Sequence, residues 1–173
     1  MKKSELKKHI RDIPDFPKKG IIFKDITPLL NNHDAFKKAV DIIARKFKKE
    51  KIDQVVSVES RGFIFGAPIA YKLGAGFVLV RKKGKLPYKT KSVSYELEYG
   101  MDTLEIHEDS IKPQSRILIV DDVLATGGTV RAVADLLKQQ EAQIVGASFL
   151  IELRFLKGKA KLNDFPIYSI IKY

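Results

Sequence analysis

Apolar positions along this chain follow two periods. Short runs of consecutive, largely β-branched apolar residues occur at Gln54–Val58, Phe77–Val80, Arg116–Val120, Gln143–Ile151 and Ile167–Ile171. Such runs predict strands buried on both faces. Elsewhere the apolar positions recur every three or four residues. Phe36, Val40, Ile43 and Phe47 mark one face of a helix reaching about Glu50, with Asp34 as its expected N-cap. A second helix runs from the turn Glu59-Ser60-Arg61-Gly62 to Leu73 and stops at Gly74, a favourable C′ residue. Val130, Val133, Ala134 and Leu137 mark a third. Helices therefore separate the first strand from the second and the third from the fourth. That alternation predicts βαβ crossovers in an α/β fold, with a mainly parallel five-stranded sheet flanked by helices.

Residues 92–99 have a different period. Ser92, Ser94, Glu96 and Glu98 alternate with Val93, Tyr95, Leu97 and Tyr99, the pattern of a half-exposed strand. Gly100-Met101-Asp102 turns the chain, and Thr103–Ile106 is expected to return as the second arm of a hairpin. A hairpin inserted in a parallel α/β domain is a candidate lid. Residues 1–33 hold a short amphipathic helix and a Pro-rich connector, Ile13-Pro14-Asp15-Phe16-Pro17.

Composition narrows the class. A chain of 173 residues that is 45% hydrophobic and 31% charged is expected to form one domain with a real core. No apolar run approaches membrane-spanning length, and the N-terminus lacks the apolar core of a signal peptide, so a cytoplasmic location without membrane association is expected. Without cysteine there are no disulfides and no thiolate metal sites. His9, His33 and His107 show no metal-ligand spacing. The net charge of +11 comes mostly from lysines scattered over solvent faces, such as Lys37, Lys38, Lys46, Lys48 and Lys49. The exception is the compact basic run Arg81-Lys82-Lys83-Gly84-Lys85.

In open parallel sheets, ligands bind beyond the carboxyl ends of the strands. Glu59-Ser60-Arg61-Gly62 follows the first strand, the basic run the second, and Asp121-Asp122 with Ala125-Thr126-Gly127-Gly128-Thr129 the third; Glu152 and Leu153 follow the fourth. The loop from Ala125 to Thr129 leads into a helix, where free amides and the helix dipole converge on an anion. Two glycines allow close approach, two threonines add hydroxyls, and the adjacent carboxylates suit sugar hydroxyls. Together these features describe a sugar phosphate. An Arg beside a Gly turn and a second basic loop on the same rim call for a second anionic group, a diphosphate. Neither a P-loop nor a dinucleotide glycine fingerprint is present.

The segment Val120-Asp121-Asp122-Val123-Leu124-Ala125-Thr126-Gly127-Gly128-Thr129 resembles the phosphoribosyl-diphosphate motif of the type I phosphoribosyltransferases. Further stretches resemble the adenine-using branch of that family from end to end. They are residues 13–17, 20–30, 59–63, 81–87 and 95–100, with Glu152-Leu153 and Leu156-Lys157-Gly158 near the end. The resemblance implies a single phosphoribosyltransferase domain over 1–173, with an N-terminal base-binding hood at 1–33 and a flexible β-hairpin lid at about 82–106. It implies transfer of a phosphoribosyl group from phosphoribosyl diphosphate to adenine, giving AMP and diphosphate, with magnesium as cofactor and no nucleic-acid partner. A homodimer is expected from the same resemblance. A rival reading, a regulator of this fold that binds nucleic acid, draws on the basic charge. The presence of Lys85 and Glu98, which catalysis would need, counts against it.

The resemblance also distributes roles. Ala125, Thr126, Gly127, Gly128 and Thr129 would hold the 5′-phosphate. Asp121 and Asp122 would bind the ribose hydroxyls, directly or through magnesium. Arg61, Arg81 and Lys85 would take the diphosphate, and the Glu59–Ser60 peptide is expected to be cis. Glu98 would act as general acid/base at a purine ring nitrogen, with Tyr99 packed over the site. Ile22, Phe23, Lys24 and Leu153 would recognise adenine, Phe23 and Leu153 from the two ring faces. Many relatives carry Arg where this chain has Lys24, and the two are not equivalent in a planar, bidentate site.

Overall fold

The computed structural model describes residues 2–96 and 100–173. The chain separates into two compact units, Met1–Ile42 and Ile43–Tyr173.

In the first unit a 3₁₀ turn at Lys3–His9 precedes two short antiparallel strands, β1 (Arg11–Pro14) and β2 (Ile22–Asp25). Their register pairs Arg11 with Asp25 and Asp12 with Lys24. A one-turn helix, α1 (Thr27–Asn31), leads to α2 (His33–Phe47), which runs through the boundary between the units. The cap of α2 differs from expectation. Asn32, not Asp34, takes the role, its Oδ1 accepting from the amide of Ala35 at 2.9 Å. An Asn is as good a cap as an Asp, and the helix starts at His33, three residues before Phe36, the first position of its apolar face.

The second unit is built on a seven-stranded sheet of order β5-β6-β4-β3-β7-β8-β9. These strands are β3 (Gln54–Val58), β4 (Gly76–Lys82), β5 (Thr90–Glu96), β6 (Met101–His107), β7 (Arg116–Leu124), β8 (Gln143–Glu152) and β9 (Ile167–Lys172). Five of them, β4-β3-β7-β8-β9, pair in parallel and are the five expected from the apolar runs. The two added strands are the hairpin. Its alternation holds through Glu96, with Val93 and Tyr95 half-buried and Ser92 and Ser94 exposed. The sequence pattern did not reveal that β6 also pairs antiparallel with the end of β4, Arg81 opposite Glu105 and Lys82 opposite Leu104. The hairpin is thus continuous with the sheet.

Helix α3 (Arg61–Leu73) links β3 to β4, and α4 (Gly128–Lys138) links β7 to β8. Gly74 closes α3 in the left-handed conformation, φ +66°. The core of this unit joins Val56, Val80, Leu104, Ile117, Ile119, Val133, Leu137 and Phe149. Among the described residues no helix is long and apolar enough to cross a membrane.

Candidate active site

Parallel pairing of β4, β3, β7 and β8 carries the carboxyl ends of all four strands to one rim. Glu59, Arg81–Lys85, Asp121–Thr129 and Leu153 are brought together there, as the sequence pattern predicts. Two boundaries differ. β7 continues to Leu124 and β4 to Lys82, so Asp121, Asp122 and Arg81 sit on strands and not in the loops after them. Ladder pairing with β8, Asp121 opposite Phe149 and Leu124 opposite Glu152, extends β7 past its apolar run.

The turn into α4 is a small polar cup. A cavity of about 70 Å³ is lined by Asp121 and residues 123–130. Gly127 has φ +80° and stands at the N-cap of α4, a conformation that a side chain would strain. The first-turn amides of α4 have no partner within the helix and point out of its N-terminus. The hairpin reaches this cup: the Tyr95 hydroxyl is 3.4 Å from Thr129 Oγ1.

Beside the cup lies the carboxylate pair. Asp122 is nearly buried, its side chain 6% exposed, and its Oδ2 lies 2.7 Å from Nε of Arg61, the first residue of α3. The amide of Asp122 donates to Asp121 Oδ1 at 2.9 Å. Burial first, and then the neighbouring charge of Asp122, push the Asp121 carboxyl well above the usual carboxylate range. Burial also raises Asp122, against the opposing pull of Arg61. The Glu59–Ser60 peptide bond is cis.

Glu59 is a rim carboxylate to which sequence reasoning gave no role. Its nearly buried side chain accepts from the amide of Lys82 at 2.6 Å, from Lys85 Nζ at 3.0 Å and from Arg81 at 3.3 Å. Burial alone would raise this carboxyl. The Lys82 amide, Lys85 and Arg81 outweigh it and hold Glu59 below its ordinary value. A signal was available, because adjacent parallel strands must place the residue after β3 beside the basic run after β4. The same run is tied to the hairpin. The Gly84 amide donates to Glu105 at 2.9 Å, and Lys82 Nζ pairs with Asp102 at 3.0 Å.

Of the residues assigned to the base, Ile22, Phe23 and Lys24 lie on β2 of the first unit. Lys24 Nζ donates to Asp12 at 2.7 Å across the β1–β2 pair, and Phe23 meets Phe16 edge-on with ring centroids 5.2 Å apart. Leu153 follows β8 in the second unit, its amide donating to the Leu124 carbonyl at 2.9 Å. Glu98 and Tyr99 lie outside the described residues.

Among the described residues no three His, Asp or Glu side chains gather as a metal cluster. Of the rim carboxylates, Glu59 is taken up by the basic loop, which leaves the adjacent pair Asp121 and Asp122. A pair is too few ligands to enclose a dehydrated ion and fits a hard divalent cation that keeps several waters.

Residues 25–171 match the phosphoribosyl transferase domain family. The chain is 58% identical to an adenine phosphoribosyltransferase of Syntrophotalea carbinolica, over 98% of this chain and 99% of that one. Among solved structures, it is similar to adenine phosphoribosyltransferase from Thermoanaerobacter pseudethanolicus, with a TM-score of 0.96, 51% identity and coverage of 99% and 100%. It is also similar to the Saccharomyces cerevisiae enzyme complexed with an imino-altritol bisphosphate and adenine, with a TM-score of 0.92, 43% identity and 97% of each chain covered. With the type I phosphoribosyltransferase fold in place and this likeness running end to end, the chain belongs to the adenine phosphoribosyltransferases.

Proposed function

We propose that the rim described above carries out the reaction of its family. The 5-phosphoribosyl group of phosphoribosyl diphosphate passes to adenine, giving AMP and diphosphate, a purine-salvage step of a pentosyltransferase. The observation that carries this reading is the adjacency, at the end of β7, of the carboxylate pair and the small cup at the start of α4. One suits hydroxyls and the other a phosphate, and Asp121 lines the cup itself.

The roles follow from the chemistry of each group. Amides and hydroxyls of Ala125–Thr129 hold the 5′-phosphate at the helix N-terminus. Asp121 and Asp122 accept from the ribose hydroxyls. Negative charge on the pair, favoured at Asp122 by the Arg61 guanidinium 2.7 Å away, favours the oxocarbenium character that C1′ acquires as its bond to diphosphate breaks and its bond to the base nitrogen forms. Arg61, Arg81 and Lys85 neutralise the departing diphosphate. Asp121 and Asp122 are the residues that would hold magnesium, which would supply positive charge to offset that of the diphosphate. Glu98 exchanges a proton with a purine ring nitrogen, and Tyr99 covers the site. Hairpin residues from about 82 to 106 exclude water as a lid. Adenine recognition is assigned to the backbone of Ile22, to Phe23 and Lys24, and to Leu153. A site that reads the 6-amino group rejects 6-oxo purines, because mismatched donors and acceptors stay unpaired. We also propose a single functional domain with residues 1–33 as its hood, a homodimeric assembly and a cytoplasmic location.

The test is direct. The protein is incubated with phosphoribosyl diphosphate, magnesium and each purine base in turn, and nucleotide formation is followed. AMP from adenine alone supports the reading. Turnover with hypoxanthine or xanthine, or no turnover together with salt-sensitive nucleic-acid binding, overturns it.

A further inference from the structure

Two backbones touch behind the phosphate cup with no side chain between them. A Cβ built on Gly158 would fall 2.1 Å from the Ala125 carbonyl oxygen and 2.9 Å from the Gly127 amide nitrogen. In return, a Cβ on Gly127 would fall 2.4 Å from the Gly158 carbonyl oxygen. The colliding atoms are main chain, so no rotamer change relieves them. Gly158 does not line the cavity that residues 123–130 enclose, so it presses on the loop from outside.

The segment that carries Gly158 is fastened at both ends. At one end the Leu153 amide bonds the Leu124 carbonyl at the exit of β7. At the other, Asp164 pairs with Arg131 of α4 at 2.9 Å and with Lys138, while Leu162 and Phe165 are buried in the core. Lys157 holds a left-handed conformation, φ +52°, that turns the chain so that Gly158 faces the loop. A segment pinned on each side of its contact cannot retreat freely.

We infer that Gly158 is a positioning residue: its bare backbone sets the shape of the Ala125–Gly127 turn, and with it the fit of the 5′-phosphate. This inference rests on the reading of that turn as the phosphate cup. An added methyl group would sit roughly 1 Å inside van der Waals separation from the Ala125 carbonyl, so the turn must shift by a comparable amount. A displacement of that size at a binding group is enough to change affinity many-fold.

The experiment is steady-state kinetics of Gly158→Ala with both substrates varied. Gly74→Ala serves as control: nothing lies within 4 Å of an added Cβ there, so that variant carries only the backbone strain of its own positive φ, away from the rim. The expected result is a KM for phosphoribosyl diphosphate raised at least tenfold in Gly158→Ala, with KM for adenine and kcat within about threefold. Gly74→Ala should leave both KM values in place. Unchanged kinetics in Gly158→Ala, or an equal loss in every parameter together with a lowered Tm, overturns the inference.

If Gly158→Ala does not fold, hydrogen exchange on the wild-type protein decides the matter. Ribose 5-phosphate should protect the amides of residues 125–129 and those of residues 154–158 together. Protection of 125–129 alone overturns the role of Gly158. Absence of protection at 125–129 overturns the phosphate-cup reading itself, and the inference with it.

Discussion

The carboxylate of Glu59 meets the ammonium of Lys85 at 3.0 Å, and the two residues stand 26 positions apart in the chain. With the amide of Lys82 and the guanidinium of Arg81 on the same carboxylate, Glu59 fixes the shape of the basic loop before any ligand arrives. Removing it has two opposed effects. The loop becomes more positive, and it loses its template. The short bond to a backbone amide makes the second effect the larger. Glu59→Ala is therefore expected to lower kcat/KM for phosphoribosyl diphosphate about tenfold, roughly 1.4 kcal/mol. Glu59→Gln, which keeps an acceptor for the amide, should lose less. Steady-state kinetics of the two variants check the order, and an improved KM in Glu59→Ala would show that Glu59 acts chiefly as a competing anion.

Asp121→Ala and Glu98→Ala are expected to separate. Loss of Asp121 removes an acceptor for the sugar, so KM for phosphoribosyl diphosphate rises and kcat falls. Loss of Glu98 removes a proton carrier, so kcat falls, by about a hundredfold, with little change in KM. Initial-rate kinetics with each substrate varied make the comparison. Equal kinetic signatures in both variants would refute the division of roles.

Asp164 gives a stability prediction with a pH signature. Lys138, and then Arg131, pull its carboxyl from 3.8 down to about 2 against an opposing effect of burial. A depressed folded-state pKa stabilises the protein above the unfolded value. The contribution is whole above pH 3.8 and disappears as pH falls towards 2. Its side chain is 30% exposed, so solvent screening cuts the worth of the pairs to about 1 kcal/mol. Asp164→Asn should lower the unfolding free energy by about that amount at neutral pH, and the gap from wild type should close near pH 2. Urea unfolding across this range measures both.

Asn32→Ala should destabilise the protein by about 1 kcal/mol through loss of the cap on α2. Asp34→Ala leaves that cap intact and should cost less. Thermal unfolding of the pair distinguishes the cap observed from the one the sequence pattern suggests.

What was legible in the sequence follows from what is periodic. Parallel strands covered on both faces are mostly apolar, so all five were visible as runs, although β4 is covered on one face only, with Leu79 exposed; the glycine-rich turn after β7 announced its helix. Strand ends were less visible. The ladder pairing that carries β7 through Asp121 and Asp122 depends on β8, a partner with no trace in the local pattern. Asn32 was hidden for a related reason: several capping residues crowd the start of α2, and only backbone geometry selects among them. Glu59 was hidden because its partners are distant in the chain. The candidate rim residues were legible as a set because parallel topology gathers strand ends without regard to the details of any side chain. Their contacts were not, because those depend on which neighbour each strand chose.

The hairpin joins the sheet where Arg81 stands opposite Glu105 and Lys82 opposite Leu104, and the Lys83 amide adds a bond to the Thr103 carbonyl. Leu104 and Ile106 are sunk in the core at that junction, so the base of the arm is anchored and cannot swing as a rigid piece without pulling apolar side chains into water. Under the proposed reaction, Arg81 then keeps its bearing from the sheet and from Glu59 whatever the outer part of the arm does. Covering the reactants and gripping the diphosphate would be separable jobs.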